Sequence, residues 1–129
     1  MKFVIDTSAY SHFNRGDARL RSYITNQNAI VFPLIVIGEL RAEFLAGSKK
    51  SENKVLLDRV LSKPNNEIAT LSQITANLFA ELYQDLKKAG TPIGSNDIWI
   101  AALALEFDLP LLTLDNGFKN ISKLKLIDL

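Results

Sequence analysis

Short runs of β-branched and other apolar residues alternate along this chain with longer segments of helical periodicity, and this alternation restricts the possible folds more than any other feature. Lys2-Phe3-Val4-Ile5, Ala29-Ile30-Val31-Phe32, Glu67-Ile68-Ala69 and Leu111-Leu112-Thr113-Leu114 read as strands, and the apolar alternation at Leu124 and Leu126 adds an edge strand. Strands separated by helices run parallel, because a crossover must return the chain to the same end of the sheet, and a parallel sheet needs helices over both faces. With 129 residues, 47% of them hydrophobic, the chain can bury one substantial core, so residues 1–129 are expected to form a single α/β domain.

Local signals set the helix boundaries. Asp6-Thr7-Ser8 supplies helix-starting side chains after the first strand, a second helix runs from Ala18 to Thr25, and Pro33 closes the second strand. Leu34 to Ala46 is helical with Gly47 as its stop, and the polar stretch Ser48 to Asn53 reads as a loop or mobile hairpin. Val55, Leu56, Leu57, Val60 and Leu61 share a helical face up to Pro64. Ser72 caps a long helix, Gln73 to Ala89, with Ile74, Leu78, Leu82 and Leu86 as its apolar stripe and Gly90 at its end. Ser95 or Asn96 is expected to cap the next helix, from Asp97 to about Phe107.

Composition removes several kinds of chemistry. Without cysteine there is no disulfide, iron–sulfur ligation or thiol nucleophile, and a single histidine cannot build a histidine-rich zinc site. The amino terminus reaches a charge at Asp6, too early for a signal-peptide apolar region, and no segment approaches the ~20 apolar residues of a membrane span, so a cytoplasmic protein without membrane contact is the simplest reading. A net charge of +1 leaves any contact with nucleic acid to local patches.

Asp6, Glu39, Asp97 and Asp115 each stand at the edge of, or within, an apolar run that should enter the core. Asp6 and Asp115 fall at strand carboxyl ends, where ligands collect in parallel sheets, and Asp97 lies near a helix start, whose partial positive charge favours an anion. Carboxylates brought together repel one another unless a divalent cation neutralises them. Hard oxygen donors suit Mg²⁺ or Mn²⁺, which would acidify a water, orient a phosphate and stabilise the leaving oxygen, as in-line phosphodiester hydrolysis requires.

Val4-Ile5-Asp6-Thr7-Ser8, Ile37-Gly38-Glu39-Leu40, Ser95-Asn96-Asp97-Ile98-Trp99-Ile100-Ala101-Ala102 and Leu112-Thr113-Leu114-Asp115-Asn116-Gly117-Phe118 resemble, in order and spacing, the acidic motifs of PIN-domain ribonucleases, and among these the VapC-type toxins. The resemblance implies a three-layer α/β/α fold with a central, mostly parallel sheet. It also implies a Mg²⁺- or Mn²⁺-dependent endoribonuclease, often a homodimer, inhibited by a cognate antitoxin. The metal-site acids map to Asp6, Glu39, Asp97 and Asp115, with Thr7, Ser8, Asn96 and Thr113 as supporting side chains. Many relatives carry Asn at the last motif with another acid before the Phe; this chain has Asp115 and then Gly117-Phe118, leaving Asp115 either a direct ligand or one acting through water.

Other readings compete with these. Taken singly, Asp6 and Asp97 also read as helix-capping residues and Asp115 as the start of a turn with Asn116-Gly117, while Glu39 has Arg41 as a neighbouring ion-pair candidate. Arg15, Arg19, Arg21, Arg41, Lys49 and Lys50 are the basic candidates for phosphate contacts, with Arg15, Arg41 and the Lys49-Lys50 pair singled out, and His12 reads as a packing or surface residue. Trp99, Phe79 and Tyr83 read as core or dimer packing. A haloacid-dehalogenase phosphatase would need a second Asp where this chain has Ser8. The alternative function is a non-catalytic PIN-like module that binds RNA or protein.

Overall fold

In the computed structural model, which describes residues 1–129, four parallel strands form one sheet in the order β3-β2-β1-β4. The strands are β1 (Lys2–Ile5), β2 (Ala29–Pro33), β3 (Glu67–Ala69) and β4 (Leu111–Leu112). Between β1 and β2 lie α1 (Thr7–Asn14) and α2 (Ala18–Thr25); between β2 and β3, α3 (Leu34–Ala46) and α4 (Lys50–Leu61); between β3 and β4, α5 (Gln73–Ala89) and α6 (Ser95–Glu106). A 3₁₀ turn, Asn116–Asn120, follows β4. The first two crossovers step one way from β1 and the third steps back past it. Right-handed connection therefore places α1–α4 on one face and α5–α6 on the other.

The register sets Val4 against Val31 on one side and Leu111 on the other. Phe3, Val4, Ile5, Val31, Phe32, Leu111 and Leu112 are fully buried, the continuous apolar pattern of strands covered on both faces. α6 is buried nearly all round, at Ile98 and from Ile100 to Ala104, and so forms the central helix of its layer.

The structure departs from the sequence-based expectations in five places. The stretch read as a loop contributes the first turn of α4: Lys50 to Asn53 are its solvent face, drawn into the helix by the buried Leu57 and Val60 and braced by the Lys54–Asp58 pair at 3.2 Å. Ile74 is 61% exposed, and the inward residues of α5 are Thr75, Leu82 and Leu86. The capping box of Ser72 and Thr75, with the buried Thr75 hydroxyl donating to Glu106, fixes that rotation. α6 starts at Ser95, two residues before the expected Asp97, on Gly94 with no side-chain cap, so both Ser95 and Asn96 lie inside the helix. β4 stops at Leu112, and the residues expected to form an edge strand contribute a single parallel bridge, Leu111 with Leu126.

Candidate metal centre

The backbone of Asp6 extends the β1–β4 ladder by one bond, its N–H donating to Leu112 O at 3.2 Å. Its side chain then turns to cap α1, accepting from Ala9 N–H at 2.9 Å. One residue therefore ends a strand, starts a helix and points a carboxylate out of the sheet end. Ser8 donates to both carboxylate oxygens, at 2.8 and 2.9 Å, and Thr113 donates to Oδ2. Ser8 in turn accepts from Leu114 N–H at 3.1 Å, tying α1 to the chain beyond β4. Burial pushes the Asp6 carboxyl above its ordinary range despite these donors.

Glu39 comes from the middle of α3 and is held by two other motifs. Thr7 donates to Oε1 at 2.6 Å, and Asn96 reaches Oε2 at 3.5 Å. Asp97 lies in the first turn of α6, where burial, followed by the charges of Asp115, Asp6 and Glu39, pushes its carboxyl up to about 6. Asp115 caps the 3₁₀ turn, accepting from Gly117 N–H at 2.8 Å. A Cβ at position 117 would stand 3.2 Å from that Asp115 oxygen and from Ile93 Cγ2, so glycine there leaves room for the carboxylate.

All four acids read from the sequence thus share one electrostatic environment, and the four supporting side chains, Thr7, Ser8, Asn96 and Thr113, each hydrogen-bond within it. None of the four forms an ion pair. The acids that do so are Asp17, Glu43, Asp58, Glu67 and Asp108, and Arg41 does not bridge Glu39. An array of oxygen donors with mutual repulsion and no cationic side chain fits a hard divalent cation. No three of these groups close around one point as a ready-made cage.

The basic candidates scatter. Arg15 lies 4.0 Å from Glu43, whereas Arg41 and Lys50 line a separate depression between α3 and α4 with Phe44, Leu45 and Lys54. Lys49 precedes α4 and makes no capping bond through its side chain. His12 Nδ1 lies 2.8 Å from Ser8 O and 3.4 Å from Arg15 Nη2. Ser11 and Glu43 were not anticipated. Ser11 donates to Glu43 Oε2 at 2.8 Å, one helical turn beyond the Thr7–Glu39 contact on both helices, and the shared four-residue offset was the signal available in the sequence.

Fold and site together define a parallel α/β domain that gathers carboxylates from four separated motifs at the carboxyl end of its strands. The chain belongs to the PIN-domain family, whose model matches residues 3–124. Ribonuclease VapC2 of Rickettsia felis is 33% identical over 101 residues, 78% of this chain and 72% of that protein. The crystal structure of VapBC2 from Rickettsia felis bound to a DNA fragment from their promoter is similar over 100% of this chain and 99% of that one, with a TM-score of 0.85 and 28% identity. VapBC-5 from Mycobacterium tuberculosis, a member of the VapBC family of toxin-antitoxin systems, shares the fold at a TM-score of 0.77 and 24% identity, over 99% of this chain and 98% of that one. No helix is long and apolar enough to cross a membrane.

Proposed function

We propose that this protein is a metal-dependent endoribonuclease and the toxin of a toxin–antitoxin pair. The observation that carries the reading is the set of four carboxylates with no cationic side chain among them, in a chain similar to a ribonuclease over most of its length. Asp6, Glu39, Asp97 and Asp115 would hold Mg²⁺ or Mn²⁺, which supplies Lewis acidity for hydrolysis of the phosphodiester. Ser8 and Thr113 fix both oxygens of Asp6, and Thr7 and Asn96 fix those of Glu39, so each carboxylate meets the cation in one orientation. The exposed Asp115 leaves one side of the array open to an extended strand of RNA.

The partner is an antitoxin that lays a segment across the carboxylate array and offers it an Arg as a charge-assisted pair. Self-association would use the α5 side of the domain, where Ile74 and Tyr83 are 61% and 43% exposed beside the Phe79–Trp99 stack. Cleavage of total RNA in Mn²⁺ or Mg²⁺, stopped by EDTA and absent from Asp6→Asn and Asp97→Asn, is the expected outcome. Undiminished cleavage by either variant refutes the assignment. Copurification with the product of an adjacent reading frame tests the antitoxin, and sedimentation as a strict monomer would count against the dimer.

A further inference from the structure

We propose that the cleft between the start of α2, the turn after β4 and the C-terminal segment is a second phosphate site, in which Arg19 and Lys119 hold the RNA phosphate adjacent to the one being cut. The inference rests on the ribonuclease reading and adds the residues that hold the substrate beside the carboxylates. A cleft of about 330 Å³ is lined by Arg19, Lys119, Leu114 and Leu126 together with Thr113 and Asp115. The last two belong to the metal centre, so the cleft continues the site. Its volume is at the small end of ligand pockets, enough for one nucleotide unit of an extended strand.

An array of carboxylates repels a polyanion, and a substrate phosphate next to the scissile one needs compensating positive charge within reach. Arg19 and Lys119 are the cations of this cleft, Asp115 and Asp128 are its acidic side chains, and Asp17 pairs with Arg19. Asp17 grips one edge of the Arg19 guanidinium, from Nη2 at 2.8 Å and Nε at 3.2 Å, and also caps α2 through Arg19 N–H. Hydrogen bonding to the guanidinium keeps Asp17 below the usual carboxylate range, so the grip persists near neutrality. The Nη1 protons remain free for a phosphate, and the fork is already oriented, which lowers the entropic cost of binding. Lys119, on the 3₁₀ turn that Asp115 caps, forms no salt bridge. Leu114 and Leu126 give an apolar wall for a ribose or base. Arg41, Lys50 and Lys54 line a depression that none of the four acids enters.

The test is the affinity of a labelled short single-stranded RNA, read by fluorescence anisotropy over a series of KCl concentrations. Asp97→Asn serves as the background, since it is expected to bind RNA without cutting it. Arg19→Gln and Lys119→Gln should each weaken binding about 3–10-fold and reduce the salt slope by about 0.7, the loss of one phosphate contact to a single strand. Arg19→Lys should keep the slope and recover part of the affinity, and Lys54→Gln should change neither quantity. Thermal melts confirm that each variant is folded. Unchanged affinity and slope in both cleft variants, or an equal loss in Lys54→Gln, overturns the proposal, as does failure of the parent to bind RNA. Inorganic phosphate as competitor separates a site for a lone anion from a site for RNA: displacement of the RNA at phosphate concentrations comparable to its own overturns the assignment to the polymer. RNA binding that depends on Arg19 in a protein that never cleaves would leave the phosphate site standing and remove only the hydrolytic reading.

Discussion

Replacing Asp97 by Asn should stabilise the metal-free protein and destabilise the metal-loaded one relative to the parent, a reversal that ordinary packing effects do not produce. Asp97 is pushed from 3.8 to about 6 by burial and by the charges of Asp115, Asp6 and Glu39. At about 1.4 kcal/mol per unit, the ionised form carries at most about 3 kcal/mol of unfavourable free energy in the fold. Solvent reaches this half-buried site, and screening reduces the figure to about 1 kcal/mol. In EDTA at pH 7.5 the variant should therefore melt about 4 °C above the parent. With Mn²⁺ at about 100 times the parent's Kd, the parent gains about 2.7 kcal/mol, and the order reverses if the variant has lost most of its affinity. A folded-state value above the unfolded one contributes stability that is present in acid and lost as pH rises through about 6. In EDTA, the parent should accordingly gain on the variant as pH falls from 7.5 toward 4.5. Differential scanning fluorimetry with and without Mn²⁺ reads all three effects. A variant that melts at or below the parent in EDTA at pH 7.5 would refute the claim that the carboxylates repel one another.

Three further substitutions probe the supporting contacts. Ser8→Ala removes the donor to Asp6 and the acceptor for Leu114 N–H, and should cost about 1–3 kcal/mol in urea unfolding with the m-value unchanged; a smaller loss would mean that water replaces both contacts. Thr7→Val removes the 2.6 Å bond that orients Glu39, and should weaken Mn²⁺ binding about 10-fold in calorimetry while leaving the overall fold intact; unchanged affinity would show that Glu39 needs no orientation. Phe79→Ala removes the ring stacked on Trp99 with centroids 4.0 Å apart, and should cost about 2–3 kcal/mol and shift the Trp99 fluorescence, whereas an unmoved spectrum would contradict the stack.

The limits of most elements were legible in the chain because the signals that set them are local. Asp6 and Asp17 accept from backbone amides at the starts of α1 and α2, and the Ser72–Thr75 box opens α5. Gly90, at φ 72°, ends α5 in the left-handed conformation that glycine adopts without strain. The order of strands and helices required parallel pairing, and the strand ends indicated where Asp6 would open onto a site.

Tertiary structure decided what depends on distances between segments far apart in the chain. Thr7 meets Glu39 because α1 and α3 pack against each other, and Thr113 meets Asp6 because β4 pairs with β1; neither contact has a periodicity to reveal it. The rotation of α5 followed from a hydrogen bond to Glu106 on α6, which overrode a stripe that looked equally apolar with Ile74 inside. Arg19 and Lys119 line a cleft with Thr113 and Asp115, a juxtaposition of α2 with the turn after β4 that no local signal in the sequence fixes. Propensity, capping and hydropathy act over a few residues and can be read from the chain, whereas the mutual repulsion of four carboxylates arises only when packing brings them together.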